Sequence, residues 1–443
     1  MNKHSAKLST PNTREGVWQI CRQWGQQMIR ASVRRWHRCQ QRQALRRLAR
    51  STTVHDRPPF GPGTARSVLL VGQNAHASDA SRLLLSLARV LSREFDIDVR
   101  ILLRQGGALL PRFMDIAETV VLKADFEQDP QNLFHDSGCR HAIFNGCNTG
   151  DLLEAAQQAG LSCVALLHEP SAIIQADCLQ PQANEIAHLA RHLVFSSATV
   201  RTEFEYHEPY IRGSVQVKAP GLEYADSRMS NNSDTLRRQL GLRKEDRLVI
   251  GTGRGTRRRG FDRFVMAAQR LCAEHDNLHF CWIGGSSREM KQWFRSLPRQ
   301  TLKGRLHLLD RAPYTDSWLS AADALYLSSR IDAYPRDVLQ ALSLGKPVVI
   351  HEGATGFDEP LLSLLQQADI DDNDAIDSAL RTAVFTDSPE QARQRQAYMR
   401  EHHQLRDYVR SLLSLIELPM TQAALTSDDS LWQEPDTLTL ANG

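Results

Sequence analysis

The sequence predicts an α/β protein made of two consecutive, mostly parallel sheets, and three observations carry that reading. Short apolar runs alternate with helical patterns from residue 67 onward. The alternation is interrupted by the polar stretch "YADSRMSNNSD" (224–234) and then resumes. Strands of the second series end in Gly, Ser or His and open into helical patterns, the habit of crossover units.

In the first series "SVLLVG" (67–72) is followed by the helical "ASRLLLSLARVLSREF", then by "IDVRILL", "ETVVL", "HAIFNG", "SCVALLH" and "HLVFSS". The second runs "RLVIGTG", "FDRFVMAAQRLCAEH", "LHFCWIGG", "LHLLDR", "DALYLSS", "RDVLQALSLG" and "KPVVIH". At 443 residues the chain holds two sizeable cores plus tails. The boundaries expected are an N-terminal domain at 67–225, a C-terminal domain at 235–400, a helix at 401–418 and a polar tail at 419–443. "AYMREHHQLRDYVRSLLSLIE" is expected to form one long amphipathic helix.

Charge is unevenly placed. Residues 1–66 hold fourteen Lys or Arg against Glu15 and Asp56, so with +3 overall the remainder carries −9. The folded body is therefore not expected to bind nucleic acid. Within residues 14–50, Val17, Cys21, Trp24 and Met28 recur at helical spacing among arginines. That pattern suits a helix lying on an anionic membrane surface, or docking on a partner protein. No run of 18 apolar residues exists and the start has no apolar signal core, so the expected place is the cytoplasm, with peripheral attachment to the inner membrane face. Eight cysteines show no CxxC pair, which suits a reducing compartment without a disulfide framework. The tryptophans of "CWIGG" and "DSWLSAAD" are expected in cores, Asp323 in a turn or cap, and His402 and His403 on a helix surface.

Chemistry concentrates in "VIGTGRGTRRRGFD" (249–262). A strand ends at Gly251, a glycine-rich turn carries Arg254, and Arg259 sits where a helix opens near Gly260. Unpaired N–H groups and the positive end of a helix attract phosphate, and guanidiniums add two-point clamps. A diphosphate leaving group would be stabilised there as its bond breaks. Charge alone leaves a solvated turn equally open.

These residues resemble the family 4 glycosyltransferases, which have the GT-B fold of two Rossmann-like domains facing across a cleft. "GRGTRRRG" is similar to that family's GR-x4-KG segment, with Gly253, Arg254, Arg259 and Gly260 in place. "FCWIGG" resembles its glycine turn, with Gly284, and "SAADALYLSSRIDAYPRDVLQALSLGKPVV" its E-x7-E block, with Tyr334 and Pro335. The first acid falls at Asp332, and the second place holds Gln340 instead of an acid. "SDASRLLLSLARVL" resembles a segment whose second glycine is Asp79 here, on the acceptor-side loop. "CVALLHEP" puts His168 at the end of a strand, where related enzymes have a histidine near the reacting carbon.

The resemblance covers residues 67–418 and implies transfer of a sugar, with retention, from a nucleotide-sugar to a glycan or lipid-linked acceptor. It implies that Arg254 and Arg259 hold the diphosphate, Asp332 the sugar hydroxyls, and Gln340 the ribose or adjacent phosphate. Neither cofactor nor metal is expected, because two arginines and a helix start do a cation's work. The alternative from the same residues is a GT-B-shaped scaffold that binds nucleotide-sugar, glycan or a partner protein without turnover.

Overall fold

The central strands of each sheet are β-branched and leucine-rich and buried on both faces, the pattern of parallel sheets covered by crossover helices, while the outermost strands are partly exposed. The computed structural model describes residues 60–418 except 62, 123–129, 224–232, 299–301, 303 and 311–314. The basic helix expected within 14–50, most of the junction expected at 224–234 and the tail at 419–443 lie outside the described residues.

The first sheet has seven strands in the order β3-β2-β1-β4-β5-β6-β7, every pair parallel. They are β1 (Ser67–Asn74), β2 (Asp98–Gln105), β3 (Glu118–Val121), β4 (His141–Asn145), β5 (Ser162–Leu167), β6 (His192–Phe195) and β7 (Ser214–Val217). The second has six, β10-β9-β8-β11-β12-β13, again all parallel. They are β8 (Arg247–Thr252), β9 (Leu278–Ile283), β10 (Leu306–Leu309), β11 (Ala324–Leu327), β12 (Val348–His351) and β13 (Gln366–Ala368). In both, order reverses beside the first strand, β1 or β8. That switch point opens a crevice at the carboxyl ends of the strands.

Three helices rise from those carboxyl ends. Helix α1 (Asp79–Glu94) follows β1, with Ser78 accepting the N–H of Ser81 as its cap. Helix α2 (Phe261–Glu274) follows β8 and α3 (Arg336–Ser343) follows β11. The leucines of α1 pack with β1, β2 and Phe95 in one core, while α2 packs through Phe261, Phe264 and Leu271 against β9 and Trp282. Trp282 is 2% exposed and Trp318 8%, core residues as their apolar neighbours suggested. Asp323 is a structural hub that accepts from the Leu248 N–H and from Arg237 and Arg247.

The chain's last described segment corrects the sequence reading. Instead of one long helix there are two, α4 (Pro389–His402) and α5 (Leu405–Leu415). The break exists because Leu222 inserts there: its N–H donates to His403 O at 2.8 Å, and the Leu405 N–H donates to Leu222 O at 3.0 Å. Two exchanged backbone bonds replace helical ones at the point where the chain crosses between sheets. Beyond the break, Leu405, Tyr408, Val409, Leu412 and Leu413 bury themselves in the first sheet's core, against α1. His403 is likewise no surface residue: it is 6% exposed, and its Nδ1 lies 3.3 Å from the Tyr334 hydroxyl. Among the described residues no helix is long and apolar enough to cross a membrane.

Candidate active site

The arginine turn is held by its glycines. After β8 the chain turns at Gly253 (φ +102°), whose carbonyl accepts the Trp282 indole N–H at 3.0 Å. Gly284 (φ +128°) passes so close that any side chain would collide with the Gly253 carbonyl. The Gly255 N–H then donates to Gly285 O and the Ser287 N–H to Gly255 O, both at 2.8 Å, stapling one turn to the other. Gly260 caps α2 with φ +71°, and a methyl there would run into the Ser328 carbonyl. Only glycine satisfies both demands.

Arg330 locks this turn to the loop beyond β11. Its N–H donates to Arg258 O at 2.9 Å, its guanidinium meets Arg257 O, and it makes a two-point ion pair with Asp262 at 2.9 and 2.7 Å. That pair holds the Asp262 carboxyl below its ordinary range against the opposing effect of burial. Arg254 projects outward, exposed and without a partner among the described residues. Arg259 turns inward across Gly253. It contacts Asp332, and its other terminal nitrogen lies 3.2 Å from Asp79 at the start of α1. One guanidinium therefore joins the two sheets.

The loop and helix after β11 supply the remaining groups. Asp332 is tied to the loop after β12 through its N–H, which donates to Ala354 O at 2.8 Å. Pro335 is the N-cap of α3, its φ of −70° set by the ring, and it offers no side-chain cap to the first N–H groups of the helix. Tyr334 turns away: its ring meets Phe357 edge-on at 5.1 Å and its hydroxyl reaches His403, so its side chain braces the loop. Gln340 lies one turn into α3, 8% exposed, its amide without a hydrogen-bond partner among the described residues. Between them sits Asp337, whose Oδ2 accepts from the Thr252 hydroxyl at 2.5 Å. Burial, then the charge of Asp79, push the Asp337 carboxyl up to about 6; Thr252, Arg82 and Arg259 pull the other way.

On the opposite side, His168 follows β5. Its Nε2 lies 3.2 Å from Asn145 Oδ1 at the end of β4, and Asn145 Nδ2 donates to Ala80 O at 2.8 Å. The second bond fixes which way the amide points, so Nε2 is the protonated nitrogen of His168 and Nδ1 the acceptor. Burial lowers the ring's pKa to about 4, leaving a neutral imidazole at physiological pH. Glu169 folds back, accepting from the N–H groups of Cys147 (3.1 Å) and His168 (3.2 Å) and fixing this loop.

A continuous chain of contacts thus runs from His168 through Asn145 and the Ala80 carbonyl to the start of α1, and from Asp79 through Arg259 to Asp332. Asn145, Asp337, Thr252 and Arg330 were not singled out by sequence. A polar residue closing a buried strand, and an acid on the inward side of an otherwise apolar helix, were the signals available.

Residues 232–402 match the family described as glycosyl transferases group 1. The fold resembles that of Anabaena Alr3699/HepE, crystallised in complex with UDP-glucose: TM-score 0.66, 15% identity, covering 79% of this chain and 99% of that one. It also resembles the sucrose-phosphate synthase of Thermosynechococcus elongatus (TM-score 0.61, 15% identity, 80% and 98% covered). A third likeness is to WaaG, a glycosyltransferase involved in lipopolysaccharide biosynthesis (TM-score 0.61, 14% identity, 79% and 99% covered). No curated protein sequence matches the chain.

Two parallel sheets facing a cleft, with an arginine turn at the mouth of the second, define a protein of the GT-B class. Within that class, residues 232–402, which hold the whole second sheet, match the glycosyl transferases group 1 family.

Proposed function

We propose that the chain is a family 4 enzyme that transfers a sugar, with retention and without a metal ion, from a nucleotide-sugar to a glycan or lipid-linked acceptor. The observation that carries the reading is the junction at Arg259. Residues nominated from four distant segments, Asp79, His168, Arg259 and Asp332, meet in one chain of contacts across the cleft.

The donor's diphosphate lies against Arg254, Arg259 and the start of α2, which offset charge as the sugar–phosphate bond breaks. Asp332 accepts from the sugar hydroxyls, and Gln340 takes the ribose or adjacent phosphate as both donor and acceptor. His168, neutral, sits beside the transferred sugar as a hydrogen-bonding group and not as a cation. The acceptor oxygen bonds to the anomeric carbon, and its proton passes to the departing phosphate. Closure of the cleft keeps water from the donor. The complex of the Anabaena protein with UDP-glucose makes UDP-sugars the first donors to try. The basic segment within 14–50 brings the enzyme to the inner face of a membrane where a lipid-linked acceptor resides.

Donor hydrolysis across UDP-, GDP- and dTDP-sugars tests the enzyme. Turnover with one donor that vanishes in Arg259→Ala is the expected result; tight nucleotide binding with no turnover, even with crude lipid acceptors, would favour the scaffold. Co-sedimentation with anionic liposomes tests the anchor. Equal sedimentation of a chain starting at Ser67 would refute it.

A further inference from the structure

The diphosphate-facing arginine is already occupied from the other side of the cleft. Arg259 contacts Asp332 of its own domain and lies 3.2 Å from Asp79 Oδ2 at the first position of α1. Asp79 is well placed to compete: Ser78 caps the helix behind it, and the helix start favours a carboxylate. Asp337, hydrogen-bonded to Thr252, lies close enough to Asp79 and Arg259 to feel both charges. Three carboxylates therefore crowd around one guanidinium, and an incoming diphosphate would add more negative charge to the same place.

We propose that Asp79 sets the enzyme's affinity for its donor by competing with the diphosphate for Arg259, so that binding must displace an interdomain ion pair. The inference rests on the reading of Arg259 as a diphosphate ligand. The single charged contact to Asp79 is exchanged for one to the diphosphate, so the net gain from Arg259 is smaller than in a cleft where that arginine has no interdomain partner. The exchange also removes the Asp79 contact between the start of α1 and the donor domain as the donor enters. Through the Ala80 carbonyl and Asn145, that loop bears on His168. Donor occupancy is thereby coupled to the position of the group beside the transferred sugar.

The experiment is isothermal titration of the full chain with UDP, GDP, dTDP and inorganic pyrophosphate, in wild type, Asp79→Asn, Asp79→Glu, Arg259→Ala and the Asp79→Asn/Arg259→Ala pair. Melting curves show that each variant folds. The expected result is that Asp79→Asn binds the preferred diphosphate about 5- to 30-fold more tightly, Asp79→Glu does not, and the gain disappears without Arg259. UMP, lacking the second phosphate, should gain little from Asp79→Asn. If Asp79→Asn binds no more tightly while Arg259→Ala weakens binding, Asp79 is only a structural latch and the proposal fails alone. If Arg259→Ala leaves binding unchanged, or no diphosphate binds any variant, the reading of Arg259 falls and the proposal with it.

Discussion

Arg330 and Asp262 form a two-point ion pair, at 2.9 and 2.7 Å, that joins the loop after β11 to the first turn of α2. Because Arg330 also holds the carbonyls of Arg257 and Arg258, it sets the arginine turn against the loop that carries Asp332 two residues later. Arg330→Ala is expected to raise the donor KM about tenfold with a smaller change in kcat, since it loosens the two segments proposed to bind the donor and is placed against no reacting atom. Arg330→Lys keeps the charge but loses the fork, and should recover only part of that affinity. Equal losses in both parameters for both variants would show a general loss of folded enzyme instead.

Gly260→Ala should be among the most damaging single-methyl changes in the donor domain. It asks alanine to hold φ +71° and drives Cβ into the Ser328 carbonyl, which belongs to the same loop system as Arg330. Strain of this kind costs roughly 2–4 kcal/mol. Denaturant titration should show a lower midpoint with an unchanged slope. A variant as stable as the wild type would mean that the turn can move aside.

Acid lability follows from buried histidines. Burial lowers the pKa of His168, His307, His351 and His403 to about 4 from an ordinary 6.5. Between those values the unfolded chain takes up protons that the folded chain does not, so stability falls as pH drops from 6.5 toward 4. Asp337 opposes this trend. With its carboxyl raised to about 6 from 3.8, the folded state binds the extra proton, and stability from this group falls as pH rises through the same region. Near pH 5 the net uptake on unfolding from these five groups is about three protons. Melting temperature measured from pH 4.5 to 7.5 should rise with pH. Asp337→Asn should raise it above pH 6 and have little effect near pH 4; a flat profile would contradict the burial of these groups.

His168 makes a further kinetic prediction. A neutral ring with Nε2–H fixed on Asn145 does not change charge between pH 5 and 8, so its own titration contributes no limb to the rate profile there. His168→Ala should lower turnover about 100-fold while donor affinity stays within about threefold. An apparent pKa near 6.5 that vanishes in this variant would show that the ring titrates in the donor complex.

Much of this architecture is legible because parallel strands buried on both faces must be apolar, and helices between them must be amphipathic. "SVLLVG" and "RLVIGTG" could be little else. The illegible parts are those that the neighbours dictate. Strand β13 is "QQA", three residues with no strand character, recruited by pairing with Val349, Ile350 and His351. Helix α4 is polar along most of its length, and what starts it is the reciprocal cap between Ser388 and Gln391. The kink at His403 is invisible locally because its cause, Leu222, lies far away in sequence. In the site, the arginine turn could be read because glycines and arginines at that spacing have few other uses. Asp337 could not, because its burial depends on Thr252 and Asp79, from two other segments.

Gln340 remains the position where sequence and family resemblance part. It lies 8% exposed on α3, one turn beyond Asp337, in the place the related motif gives to an acid. Asp337 already puts one carboxyl into this helix's first turn, and burial and Asp79 raise its pKa. A second acid at 340 would place another negative charge on the same short helix in a buried site, where repulsion and desolvation both resist ionisation. An amide offers hydrogen bonds without that cost. Gln340→Glu in the otherwise native chain is therefore expected to weaken donor binding by about three- to tenfold at pH 8. Combined with Asp337→Asn, which removes the neighbouring charge, it should bind at least as well as wild type. Titration of the preferred nucleotide-sugar into the two variants decides the matter. If Gln340→Glu alone binds more tightly, the amide is a weakened form of the family's acid and not an adjustment to Asp337.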